Sequence, residues 1–314
     1  MSLLLSGTNQ SENIYRSIYH YNESIRSDRN HFGVYDRWEL LTYAFESLIQ
    51  EFCIAKGYEN HPAGIAPKLL SEGLSDKSHR KILSSDLIQD LISLKDLIMD
   101  HDTLIRGEYV PGEEIDPALY KKSIIQHKKL INAFNRYQDD NENIALSEAA
   151  IKKLGKLLYT VRSNASHGGK TPYGPDEEQM RRDREVLTIF TPILNLIIEQ
   201  IYDSPQNKFF AYGTLIPGQA NHEILKDIKG DWKTLKVNGS IVESDGLKYF
   251  QWNPQEKEIV EGQLLESNNI HQYWRELDRF EGQKYERQLG CQKDKDNLVV
   301  FTYYVKRNSR YGYF

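Results

Sequence analysis

The chain has 314 residues, of which 39% are hydrophobic and 27% charged, and its formal net charge is −5. This length fits two domains, the composition is typical of a soluble globular protein, and the negative balance argues against nucleic-acid binding driven by charge over the whole surface. Two distant cysteines give neither a disulfide framework nor metal-ligand spacing. No segment reaches the roughly 20 apolar residues of a membrane span and no signal peptide begins the chain, so we expect a cytoplasmic protein.

Hydrophobic residues recur at helical spacing through the first two thirds of the chain. The stretches lie within residues 38–52, 87–98, 124–134, 151–165 and 186–201. They predict an all-α helical bundle over residues 32–203, preceded by a polar segment, 1–31, of weak periodicity. Residues 57–67 and 107–117 contain glycine and proline, so they are predicted to be loops.

The hydrophobic period changes after residues 203–207, Asp-Ser-Pro-Gln-Asn. Six short segments rich in β-branched and aromatic residues follow, and they are predicted to be strands. Their bounds are 209–212, 235–243, 247–252, 259–265, 285–291 and 298–305. With two short helices near 220–229 and 270–280, they predict a small mixed β-barrel over 208–306 and an aromatic tail at 307–314. The expected fold class is therefore α+β, with two domains.

A basic pair lies on the fourth predicted helix, where Arg162 stands five residues before His167. The pattern Arg-x-x-x-x-His resembles the mark of the HEPN superfamily. The resemblance implies a homodimer with a metal-independent ribonuclease site at its interface, where Arg162 stabilises phosphate charge and His167 transfers protons. Asn164 and Asp183 are candidates to support this pair. Ser163 departs from the family pattern, so a structural role for Arg162 and His167, tying neighbouring helices together, is retained as the alternative.

Two segments of the predicted barrel carry the second candidate site. Residues 209–215 read F-F-A-Y-G-T-L, an apolar strand that runs into a glycine turn, and residues 277–287 read L-D-R-F-E-G-Q-K-Y-E-R. The first segment offers backbone N–H donors. The second places one carboxylate, Glu281, at the end of an amphipathic stretch. Such a set can move protons around a carbonyl without a metal or cofactor.

These segments resemble the γ-glutamylcyclotransferase-like family, together with Gly239, Gly262 and the string G-Q-A-N-H at 218–222, which looks closest to the γ-glutamylamine cyclotransferase branch. The resemblance implies that a γ-glutamyl amine is cleaved by its own α-amine, with 5-oxoproline as product and no cofactor. Glu281 would act as base and acid, with its pKa raised by partial burial among Phe280 and Tyr285. The substrate would be bound by Tyr212, Gly213, Thr214, Leu215 and Tyr285.

Each of these assignments has a simpler interpretation. Glu281 alone would be an exposed carboxylate at a helix end, and Tyr285 would pack within the barrel. Arg287 is expected to form a structural ion pair, either with Asp278 or with Glu281.

Three functions remain open. The first is cyclisation of a γ-glutamyl amine by a barrel fused to a dimeric helical domain. The alternative is a HEPN ribonuclease of toxin or phage-defence type, with RNA at the dimer interface and a barrel that senses or modifies a ligand. The third is a binding protein that keeps both folds without turnover.

Overall fold

The computed structural model describes residues 12–29, 33–58, 62–93, 117–167, 177–244, 247–252, 258–291 and 298–305. They form two compact units, which divide after Ile201. In these ranges no helix is long and apolar enough to cross a bilayer. The predicted tail at 307–314 lies outside the described residues.

The first unit is built from helices throughout its described part. They are α1 (Glu12–Arg29), α2 (Val34–Lys56), α3 (Pro62–Gly73), α4 (Asp76–Leu83), α5 (Asp86–Ser93), α6 (Pro117–Asp139), α7 (Ile144–His167) and α8 (Glu177–Ile201). α2 packs against α1 and α8, and α7 packs against α3 and α6. Side chains such as Leu48, Leu154 and Phe190 are fully buried between them.

Two parts of this unit differ from the sequence-based expectation. Residues 12–29, within the segment set apart as polar, form α1, which buries Ile14 and Ile18 beside Ser17. The Ser17 hydroxyl donates to the carbonyl of Ala44 at 2.7 Å, so a polar residue is satisfied inside the core. The predicted loop at 57–67 is wrong in its second half, because α3 begins at Pro62, a residue suited to the first turn of a helix.

The second unit contains a curled six-stranded sheet, with the strands close to their predicted positions. They are β1 (Lys208–Ala211), β2 (Asp231–Ser244), β3 (Leu247–Trp252), β4 (Ile259–Glu266), β5 (Tyr285–Cys291) and β6 (Val299–Val305), and α9 (Trp274–Glu281) precedes β5. The strand order is β3-β2-β4-β1-β6-β5. β1 runs antiparallel to β4 and parallel to β6, so the sheet is mixed.

β1 is anchored on both faces of the sheet. Phe210 belongs to an apolar cluster inside the curl, where Phe250 of β3 packs on Tyr304 of β6 at 5.5 Å between ring centroids. Phe209 points to the opposite face, as successive strand residues do, and contacts the ring of Trp274 in α9 at 5.7 Å. The end of β1 is therefore fixed by two packed aromatic groups directly before residue 212.

Candidate functional site

The loop after β1 is closed by its own hydrogen bonds. The N–H of Asn221 donates to the carbonyl of Thr214 at 3.0 Å, and its side-chain amide donates to the Thr214 hydroxyl at 2.9 Å. The Nδ1 atom of His222 lies 3.1 Å from the carbonyl oxygen of Leu215. These contacts hold residues 213–215 in one conformation at the end of the strand.

Within this loop, backbone donors are left unused. The N–H groups of Gly213, Thr214 and Leu215 make no hydrogen bond to any described residue. A Cβ placed on Gly213 would meet nothing within 4 Å, so open space adjoins the turn. Consecutive unpaired N–H groups beside open space can bind a carboxylate or an oxyanion.

Glu281 is the last residue of α9, an amphipathic helix that buries Trp274 and Leu277. Gly282 follows with φ +72°, a conformation that suits glycine, and its N–H donates to the carbonyl of Asp278 at 3.2 Å. The Glu281 side chain is partly buried, and this burial raises its pKa to about 7. No described residue forms a hydrogen bond or ion pair with the carboxyl group. The Glu281 carboxyl group is therefore partly desolvated, and no described residue replaces its lost hydrogen bonds to water.

Tyr303 of β6 brings α9 close to the loop after β1, because its hydroxyl donates to Asp278 at 2.7 Å and its backbone carbonyl accepts from the Tyr212 hydroxyl at 3.1 Å. Burial raises the pKa of Tyr212, and the charges of Glu281 and Tyr285 raise it further. The charge of Glu281 also acts on Tyr303 of β6. Because such interactions weaken with distance, Glu281, Tyr212 and Tyr285 belong to one neighbourhood. The two sequence segments, 209–215 and 277–287, therefore lie close together in the fold.

Phe280, which was expected to help bury the Glu281 carboxyl group, is itself 42% exposed. Because Leu277 is buried and Phe280 is exposed, the apolar face of α9 ends before its last turn.

Arg287 makes its ion pair with Asp278, with a closest N–O distance of 3.4 Å. Its guanidinium also lies 4.4 Å from the centroid of the Trp274 ring. Asp278 accepts a second contact, a hydrogen bond of 2.7 Å from the hydroxyl of Tyr303. Tyr303 was missed in the sequence because it lies in a run of β-forming residues, V-V-F-T-Y-Y-V, with no motif around it.

The remaining candidate residues, those predicted for a HEPN site, belong to the helical unit. Arg162 on α7 forms an ion pair with Glu46 on α2, and both side chains are largely buried. Asp183 is buried on α8. The backbones of Asn164 and His167 belong to α7, but their side chains are not among the parts that the structure describes. The observed pair ties α2 to α7, which is the structural alternative raised for Arg162.

The raised pKa of Glu281 has a consequence for stability. Because its folded-state pKa of about 7 exceeds the ordinary 4.5, the folded state holds this proton more tightly, and stability is lost as the pH rises from 4.5 through 7. Glu281→Gln should therefore stabilise the second unit at pH 8 by about 1 kcal/mol, after allowance for solvent screening, and change little at pH 4. Urea denaturation at both pH values tests this. Equal stabilities at pH 8 would contradict it, and Glu276→Gln, exposed on the same helix, is the control.

Comparison with known proteins identifies the second unit only. Residues 209–313 match a family model described as gamma-glutamyl cyclotransferase, AIG2-like. No curated protein and no solved structure matches the chain. The family match includes the loop after β1 and Glu281. It does not reach the helical unit, so the HEPN resemblance is not shown. Among the residues that the structure describes, no group of three His, Cys, Asp or Glu side chains is placed to hold a metal ion.

Proposed function

We propose that the second unit releases an amine from a γ-glutamyl amine and leaves 5-oxoproline. The family match supports γ-glutamyl cyclotransferase-type activity. The choice of an amine as leaving group rests on the string G-Q-A-N-H at 218–222. The observation that carries the proposal is Glu281, whose partly buried carboxyl has a pKa of about 7 and no partner among the described residues.

The reaction needs a group that both takes and gives protons. On the way from ammonium to lactam, the α-nitrogen of the substrate loses two protons. On its release as an ammonium ion, the leaving nitrogen gains two. The carboxylate of Glu281 accepts the first proton from the α-ammonium, and the neutral amine then attacks the γ-carbonyl carbon. The carboxylic acid protonates the leaving nitrogen as its C–N bond breaks. The regenerated carboxylate takes the second proton from the ring nitrogen, and the released amine gains its second proton from Glu281 or from water. A pKa near 7 suits both steps.

The loop after β1 supplies the electrostatic part of the proposal. The γ-carbonyl oxygen becomes an oxyanion when the five-membered ring closes, and the unused N–H groups of Gly213, Thr214 and Leu215 are donors for it or for the α-carboxylate. Tyr212 and Tyr285 would line the site, since both lie in the neighbourhood of Glu281. Holding the substrate folded back on itself lowers the entropic barrier to ring closure.

The helical unit has no second activity in this proposal. Arg162 is engaged by Glu46, and the family match ends short of this unit. The HEPN ribonuclease, the RNA partner and the homodimer have no supporting observation among the described residues. They stay sequence-based predictions, as does the cytoplasmic location.

A substrate panel tests the proposal. The full chain is incubated with γ-glutamyl derivatives of alkyl amines, of the lysine ε-amine and of α-amino acids, and the products are measured by mass spectrometry. We expect 5-oxoproline and free amine in equal amounts, with the amine derivatives turned over faster than the amino-acid derivatives. Absence of 5-oxoproline across the panel would refute the proposal.

The proposal also predicts how kcat/KM depends on pH, which the same assay can measure. Glu281 must be ionised in the free enzyme to accept a proton, so kcat/KM should fall about tenfold per pH unit below a pKa of about 7. Initial rates between pH 5 and 9 give this profile. A kcat/KM that stays constant down to pH 5 would mean that a group with an ordinary carboxyl pKa, or no carboxyl group, takes the proton.

A further inference from the structure

A chain of contacts joins α9 to the loop after β1 through a single residue of β6. The hydroxyl of Tyr303 donates to Asp278 at 2.7 Å, while its backbone carbonyl accepts a hydrogen bond from the hydroxyl of Tyr212 at 3.1 Å. Asp278 also pairs with Arg287 at 3.4 Å. The four residues come from α9, β5, β6 and the loop, so these contacts connect all the segments that carry the candidate site.

Arg287 is held firmly in this arrangement. Its guanidinium lies over the rings of Trp274 and Phe301, at 4.4 and 5.3 Å from their centroids, and its side chain is only 17% exposed. A planar cation stacked on aromatic rings and paired with a carboxylate has little freedom to move. It therefore serves as a fixed positive charge next to Asp278.

Asp278 stands three residues before Glu281 on α9, and residues at this spacing lie on the same face of a helix. A carboxylate so close would oppose the ionisation of Glu281. The guanidinium of Arg287, whose nearest nitrogen lies 3.4 Å from an oxygen of Asp278, offsets this effect.

We propose that Asp278, Arg287 and Tyr303 are positioning residues for Glu281: they fix α9 to the loop after β1, and the Asp278–Arg287 pair keeps the region around Glu281 electrically balanced. This inference builds on the proposed function, but the ionisation of Glu281 is measurable whether or not the substrate is known. Among the described residues, the phenols of Tyr212, Tyr285 and Tyr303 are further ionisable groups of this neighbourhood.

The test is a double-variant cycle on the full chain, read by carbon NMR of labelled glutamate carboxyl groups. The Glu281 signal is assigned by its loss in Glu281→Gln. Arg287→Gln leaves the Asp278 charge uncompensated and should raise the pKa of Glu281 by about half a unit to one unit. Asp278→Asn leaves the cation uncompensated and should lower it by a similar amount. The double variant should return close to the wild-type value.

Matched controls separate this effect from a general loss of structure. Arg279→Gln removes a cation from the exposed part of the same helix and should leave the Glu281 titration unchanged. Tyr303→Phe keeps the ring and the carbonyl but loses the hydroxyl, so kcat should fall several-fold with a smaller change in KM. Shifts in the same direction for Arg287→Gln and Asp278→Asn, or no shift in either folded variant, would overturn the inference. An absence of 5-oxoproline with the expected opposite shifts would refute only the proposed function.

Discussion

Glu281→Gln should lower the rate of 5-oxoproline formation by about a thousandfold, because the amide can neither accept nor donate the proton that the reaction moves. The variant keeps the shape of the side chain and removes only its acid–base chemistry. Since the Glu281 carboxyl has no partner among the described residues, its replacement breaks no contact there. The loss should therefore appear in kcat, with little change in KM.

The measurement is a steady-state assay of wild type and Glu281→Gln with the best substrate of the panel at pH 8. Glu276→Gln carries the same chemical change at an exposed position of α9 and should retain wild-type activity. If Glu281→Gln kept more than about a tenth of the wild-type kcat, another group would be moving the proton.

Gly262→Ala should strongly destabilise the second unit. A Cβ at this position of β4 would lie 2.4 Å from the carbonyl oxygen of Ala211 and 2.6 Å from a ring carbon of Phe210. The Phe210 ring is fully buried, and Ala211 is held in register with Gln263, so neither can move aside easily. We expect a loss of about 3 kcal/mol, at the upper end of the range for overpacked cores.

Tryptophan fluorescence during urea unfolding checks this prediction, because three of the four tryptophans, Trp232, Trp252 and Trp274, belong to the second unit. Gly213→Ala is the stability control, since its Cβ enters open space and its φ is not in the left-handed region. A Gly262→Ala midpoint equal to that of wild type would show that β1 and β4 approach less closely than the structure indicates.

The sheet was largely predictable because local patterns define each of its strands. The six apolar segments between Gly and Asx residues correspond to β1–β6, although β2 begins at Asp231 rather than near residue 235. Helix α1 was not predictable in this way. It buries Ser17 and Ser24 beside its apolar residues, and the hydroxyls bond to backbone carbonyls, so a buried face looks polar in the sequence.

The residues of the candidate site can also be separated into those that a local sequence motif indicates and those that only the tertiary structure reveals. Glu281 and residues 212–215 could be selected from the sequence, because each belongs to a short motif with a recognisable turn. The role of Tyr303 could not. It depends on β6 lying parallel to β1, with Phe209 opposite Phe301, a pairing between segments about 90 residues apart that no local pattern encodes. The choice of Asp278 as partner of Arg287 follows from the same tertiary arrangement.

The central claim is that the α-amine of the substrate itself attacks the γ-carbonyl, with Glu281 carrying the protons. The most direct measurement uses a γ-glutamyl amine labelled with nitrogen-15 at the α-amine and follows the label by mass spectrometry. The account predicts that labelled 5-oxoproline appears in step with free, unlabelled amine, and that a substrate acetylated at the α-amine is inert. Labelled glutamate as the first product, which would mean attack by water, or no release of amine at all, would contradict it.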